Sequence, residues 1–327
     1  MSAVRPVPES SALLAEPLTA ADVRAVLRRR GARRIAAQSF TRLRFGDGFS
    51  HARATGFQVS LAVVPLVVAV IALSRVIDAS WLGMVLRRTI LELTPGASDA
   101  LIRELLPAAG DERLLRASAS ALVVVAAVGA LATAMAQLER GANRIYGIDR
   151  DRPTRAKYGR ALVMSVAAGL PAMGGSLVLI AGSAFAEAME EVHGVDDDLV
   201  VALAWPTGVT LVVGAITALL RFAPARRQPG WSLLLCGGLL AVLAWTALTL
   251  VLAAALELSA RLGSVYGPLT GVVFLLLWSQ LTSVAILLGF AVSAELEAEA
   301  TAVHRTPTHH LGESDDTRPA APEGTTT

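Results

Sequence analysis

Few residues in this chain are equipped for chemistry, and they are scattered. The five histidines, His51, His193, His304, His309 and His310, fall in loops and tails. They form no His-Glu-x-x-His pair, and no Cys/His cluster has metal-binding spacing. No glycine-rich loop ends in Lys-Ser or Lys-Thr to cradle a phosphate, and no Gly-x-Ser-x-Gly elbow presents a nucleophile. Asp196, Asp197 and Asp198 could attract a divalent cation but read better as a solvated turn. The single cysteine, Cys236, lies inside an apolar run, which excludes an internal disulfide and suits a small core residue. These residue types give an enzyme no positive support, and they call for no cofactor and no metal.

Arginine is the chemistry that remains. Between two long apolar runs lies Glu139 to Arg160, ERGANRIYGIDRDRPTRAKYGR. Guanidinium forks suit phosphate and carboxylate, so Asn143, Arg144, Tyr146, Arg152 and Arg155 are candidate contacts for an anionic head group. The plainer reading is that these arginines set topology and grip lipid. A second candidate set lies within the apolar runs themselves. Ser279, Gln280 and Ser283 share one helical face, and Thr246 and Thr249 share another. Polar groups in lipid are costly unless they face the bundle or a cavity, so these five either line a substrate path or tie helix to helix.

The elements that must position these residues are membrane helices. The chain has 327 residues, 54% hydrophobic and 17% charged, with mean hydropathy +0.56, too apolar for an ordinary soluble protein. The net charge of +2 gives no argument for nucleic acid. Six runs can span about 30 Å of hydrocarbon: 54–77, 117–138, 161–186, 199–220, 231–256 and 268–294. The reading is an all-α polytopic membrane protein, a six-helix bundle with short amphipathic surface helices. Pro65 in the first run and Pro171 in the third predict kinks, with the freed carbonyls satisfied by neighbouring helices. Trp245 and Trp278 are expected in the bundle core, where each indole N–H needs an acceptor. Gly237 with Ala241 forms a small-x-x-x-small step suited to close packing.

Outside the spans, residues 1–18 and 300–327 are poor in periodic pattern and are expected to lack order. Thr19 and Asp22 predict a capping box opening a basic amphipathic helix with Val23, Val26, Leu27 and Ile35 on one side, placed on anionic lipid within a segment spanning 19–53. The connector at 79–116 carries two short amphipathic helices. Glu295, Glu297 and Glu299 are expected to carry the last helix on into water. With the N-terminus in the cytoplasm, the inner segments hold 22 basic residues and the outer side 7, Arg75 included. That bias places both termini inside.

Three pieces, in order, resemble the YihY/BrkB family of integral membrane proteins, once labelled ribonuclease BN. They are ERGANRIYGIDRDRP; PARRQPGWSLLLCGGLLAVLAW; and VYGPLTGVVFLLLWSQLTSVAILLGFAVSAELEAE. The matching positions include Asn143, Arg144, Tyr146, Arg152, Pro153, Trp231, Trp245, Tyr266, Gly267, Trp278, Gly289 and Glu295. Pro65 is kept in the first span, while Gln58 stands where an aromatic residue is common. The resemblance implies a six-helix protein of the bacterial cytoplasmic membrane with an envelope role. The ribonuclease label does not fit, because phosphodiester hydrolysis wants metal-binding carboxylates or a positioned acid/base pair. The expected function is transport or flipping of an amphiphilic or anionic envelope component, with anionic lipid as partner. The alternative is a non-transporting envelope scaffold. Self-association and envelope-protein partners are left open.

Overall fold

The computed structural model describes residues 6–14, 17–76, 117–150, 152–180, 197–261 and 269–305. The connector helices expected within 79–116, the acid at Asp196, the positions Tyr266 and Gly267, and the chain after Arg305 lie outside the described residues. All described elements are helical. Helix α1 is Ser10–Leu13, α2 Ala20–Arg30, α3 Ala32–Phe45, α4 Gly48–Val76 and α5 Ala117–Tyr146. A helix α6, Thr154–Met164, passes through a π-turn at Ser165–Gly169 into α7, Leu170–Ile180. The three last are α8 Asp197–Phe222, α9 Trp231–Arg261 and α10 Leu269–Arg305.

Four of these helices are long and apolar enough to cross a membrane, over Leu122–Tyr146, Ala202–Phe222, Trp231–Leu256 and Val272–His304. The first expected span coincides with α4, a helix of 29 residues that runs through Pro65. The third runs through α6 and α7 as far as residue 180. Its irregularity is the π-turn immediately ahead of Pro171. Proline removes one N–H and crowds the carbonyl four residues back, and a local widening of the helix relieves both.

Small residues set how closely the helices approach. A Cβ on Gly56 of α4 would lie 2.6 Å from Gln280 Cα of α10, so the two backbones touch there. On α9 the expected step is used as read: Gly237 and Ala241 pack against Gly289 and Ser293 of α10. Gly175 of α7 and Gly208 of α8 make a third close crossing. In lipid, close contact of this kind replaces the hydrophobic effect as the source of helix association. Trp245 is 8% exposed and donates its indole N–H to Thr282 Oγ1 at 3.1 Å, joining α9 to α10.

The segment before α4 is not one amphipathic helix. It breaks at Gly31, whose φ of 80° lies in the left-handed region, giving α2 and α3. The capping box forms, Thr19 N donating to Asp22 Oδ2 at 2.7 Å. Burial pushes the Asp22 carboxyl up, but hydrogen bonds from Thr19 and His304 outweigh it and hold the group below its ordinary 3.8. Its contribution is therefore complete above that value and is lost as pH falls through the lowered one. Both helices lie along the end of α10, with Arg30–Glu299 and Arg42–Glu295 pairs each at 2.9 Å. The last helix does continue to Arg305, yet Glu295 and Glu297 are buried rather than in water. The segment before Thr19 also differs from expectation: Val7, Ser10 and Leu18 are buried against the bundle.

Gly289→Val forces a branched side chain into Ala241 Cβ, now 2.8 Å from where a Cβ would stand. It should cost about 1–3 kcal/mol through overpacking. Gly214→Ala, where a Cβ meets open space, should be neutral or raise stability by up to about 1 kcal/mol. Thermal unfolding midpoints of the two variants in detergent would check both signs.

Candidate functional site

The stretch that opened the sequence reading forms the corner where α5 ends. Gly147, with φ of 75°, terminates the helix in a left-handed turn, closed by Ile148 N donating to Asn143 O at 2.8 Å. Asn143 is 1% exposed, and its Oδ1 accepts from Ala225 N at 2.8 Å. Tyr146 is 1% exposed beneath the Arg226 guanidinium, 4.8 Å from the ring centroid. Arg144 pairs with Asp149 at 3.0 Å near the surface. Arg152 pairs with buried Glu139 at 2.8 Å and donates to Ala223 O and Pro224 O at 3.0 and 2.8 Å. Arg155 is exposed at the start of α6, after Pro153 at its N-cap.

These contacts have a shared target. The final carbonyls of a helix lack intrahelical partners and need donors. Beyond Arg152, Arg160 donates to Phe222 O at 2.9 and 2.6 Å, and Arg221 reaches Gln228 O at 2.7 Å. Asn143, and Arg152 through Glu139, thus hold the α8–α9 turn, residues 223–230, against α5, while Arg160 caps the end of α8 and Arg221 braces the turn from α8 itself. Arg221 also lies over Trp231, which meets Phe222 edge-on at a centroid distance of 5.7 Å.

The turn in turn carries Arg226 to a buried carboxylate. Arg226 Nη2 lies 2.7 Å from Glu297 Oε1, with side-chain exposures of only 3% and 0%. The same oxygen accepts from Ser10 N at 3.1 Å and from Ser10 Oγ at 2.7 Å. Arg226 also donates to Val7 O at 3.1 Å and Pro8 O at 3.2 Å. Beside this pair Arg42 holds Glu295 and reaches Ile145 O at 3.4 Å. Three polar groups in the cluster are buried without a hydrogen-bond partner: Tyr146 Oη, both amide atoms of Gln228, and Glu297 Oε2. Gln228 is 4% exposed and lies beside the phenol without bonding to it in good geometry.

The expected intramembrane path is not gathered in one place. Ser279 and Ser283 are buried on α10, with Gln280 against Gly56 of α4. Thr246 is exposed on α9, Thr249 is half-buried, and Trp278 is half-buried on α10. Elsewhere on α4, Gln58 Oε1 lies 3.1 Å from Thr133 Oγ1 of α5, whose hydroxyl also lies 2.7 Å from Ala130 O, and Thr55 is buried one turn before Gln58. Sequence reasoning passed over Arg42, Glu139, Arg226, Gln228 and Glu297 as topology or surface charge, and passed over Thr55 and Thr133. The one available signal was Gln58 standing at an aromatic position. Among the described residues no group of three His, Cys, Asp or Glu could hold a metal.

Long apolar helices, small-residue crossings and an ion-paired cap at one end define an all-α polytopic membrane protein. The family model described as virulence factor BrkB matches residues 39–311, most of the chain, and the protein belongs to that family. Neither the curated proteins nor the solved structures yield a match.

Arg226→Ala would leave Glu297 charged, buried and unpaired, and should destabilise the protein by about 3–5 kcal/mol. Arg155→Ala, at an exposed position, should stay within about 0.5 kcal/mol of the parent. Unfolding midpoints in detergent, compared for the two variants, would check the difference.

Proposed function

We propose that this BrkB-family protein moves an amphiphile with an anionic head group across the bacterial cytoplasmic membrane. In this reading both termini face the cytoplasm and no enzymatic step is involved. The supporting observation is the polar seam where α4 meets α5 and α10. Ser60, Ser165, Thr217 and Ser283 each return their hydroxyl proton to the carbonyl four residues back. Thr55 and Ser279 are as deeply buried and do not: both hydroxyl oxygens lack partners, as do those of Ser39 on α3 and Ser293 further along α10. Hydrogen-bonding capacity left open inside an apolar bundle is costly, and its usual reason in membrane proteins is a polar path. Gln58 and Thr133 add an amide and a hydroxyl where α4 meets α5. Of the original head-group candidates, Arg144 and Arg155 keep the solvent access that lipid contact requires, whereas Asn143, Tyr146 and Arg152 serve the corner behind them.

That inward use of Asn143 and Arg152 is the observation favouring the second reading, an envelope scaffold that does not transport. Purified protein in vesicles of phosphatidylglycerol and phosphatidylethanolamine, carrying a trace of nitrobenzoxadiazole-labelled phosphatidylglycerol, separates the two. Under the transport reading, dithionite bleaches inner-leaflet label faster than in protein-free vesicles. Gln58→Leu should then slow that component about tenfold, equivalent to about 1.4 kcal/mol in the barrier, with the protein still folded. Bleaching no faster than in empty vesicles would remove the transport reading and leave the scaffold.

A further inference from the structure

The segment ahead of α2 touches the bundle through backbone groups, in the manner of a bound peptide. Pro6 lies across Gly147, where a Cβ would stand 2.9 Å from Pro6 Cα. Val7 N donates to Tyr146 O, a terminal carbonyl of α5, at 3.2 Å. The carbonyls of Val7 and Pro8 take two donors of Arg226, and the N–H and hydroxyl of Ser10 fill one oxygen of Glu297. The order along the chain is therefore acceptor, acceptor, donor, donor, matched to a fixed guanidinium and a fixed carboxylate. Both receiving side chains are almost wholly buried and are held from behind, Arg226 over Tyr146 and Glu297 within α10. The groove exists because α5, the α8–α9 turn and α10 build it, and the segment's apolar anchoring is limited to Val7 and the partly buried Leu14 at its end. Beneath it, Tyr146 Oη, the Gln228 amide and Glu297 Oε2 remain unfilled.

The geometry points to a peptide-accepting groove at the charged end of the bundle, formed by Tyr146, Arg226, Gln228 and Glu297, whose resident occupant is residues 6–14 of the same chain. The segment acts as a detachable strap: its contacts are hydrogen bonds that water can replace, so local opening needs far less free energy than unfolding. When it lifts, two guanidinium donors and a carboxylate oxygen are offered together to any extended polypeptide that presents carbonyls followed by an N–H and a hydroxyl. Gly147 is part of the device, since a side chain there would collide with the strap backbone. This inference stands whether or not the bundle transports.

The test uses the full chain with Cys236→Ala and a single reporter cysteine. Val7→Cys should react with a membrane-impermeant maleimide about tenfold more slowly than Leu13→Cys, which is 49% exposed on the same segment. Adding Ser10→Asp sets a carboxylate against Glu297 and should bring the Val7→Cys rate up to that of Leu13→Cys. A fluorescein-labelled synthetic peptide of residues 1–14 supplies a second measurement by polarisation. It should bind a chain lacking residues 2–14 about tenfold more tightly than the full chain, whose strap competes, and Arg226→Gln should abolish that binding. The detergent melting midpoint of each variant establishes that it is folded. Equal labelling of Val7→Cys and Leu13→Cys in the otherwise unaltered chain would overturn the strap. Failure of the peptide to bind the folded, shortened chain would overturn the groove.

Discussion

One carboxylate organises the charged end of this molecule. Glu297 lies near the C-terminal end of the longest described helix, with no solvent exposure. An isolated carboxylate in that position would be expelled or neutralised, because the desolvation cost is far larger than any single hydrogen bond returns. It stays because Arg226 and two groups of Ser10 converge on one of its oxygens. Arg226 must in turn be held, which requires the α8–α9 turn to stand in one conformation. The arginines of the preceding corner supply that rigidity by capping the end of α8. The sequence of dependence runs from Glu297 outwards to Arg226, to the turn, and to Arg152, Arg160 and Arg221.

This dependence changes what the arginine-rich corner means. Topology needs positive charge somewhere in the connector, and any order of residues would satisfy it. Guanidinium groups that must reach named carbonyls need a particular order and a particular helix end, which an Asn-Arg-x-Tyr-Gly sequence followed by Arg152 and Pro153 supplies. Arginine suits this better than lysine, since its planar fork can serve two carbonyls and an ion pair together, as Arg152 does. Positive charge at this end therefore does two kinds of work with the same side chains. Arg155, which caps nothing, keeps its charge for the surface.

The parts of the fold that depend on neighbours in sequence were legible. Apolar length marked the four described helices long enough to cross a membrane, Thr19 with Asp22 marked the start of α2, and Gly237 with Ala241 marked a close crossing. Trp245 announced its need for an acceptor, later met by Thr282. The break at Gly31 was not read, because glycine in a basic amphipathic pattern also occurs within helices. The burial of Glu297 was illegible for a stronger reason: its partners stand 71 and 287 residues away. Three alternating glutamates after an apolar run have the pattern of a solvated helix end, and only the folded chain supplies the cover. Likewise a shared helical face for Thr246 and Thr249 says nothing about whether that face turns inwards.

The same distinction explains why the polar seam and the cap differ in character. At the cap, charged groups are paired with each other and with the strap, so the structure there is held closed by contacts that water can also make. Along α4 and α10, Thr55 and Ser279 make no bond to the carbonyl four residues back, whereas Ser60 and Ser283 do. A hydroxyl whose rotamer gives up an available local bond is held for another partner, or its neighbours leave it no choice. The Gly56–Gln280 contact brings the backbones of α4 and α10 together beside Ser279. A passage of any molecule between these helices would have to part those two backbones first. Parting them is resisted at the charged end, where α3 and the Arg42–Glu295 pair bind the chain leading into α4 to the projecting end of α10. The Arg42–Glu295 pair and the Gly56–Gln280 crossing thus tie α3 and α4 to α10 at two separate points.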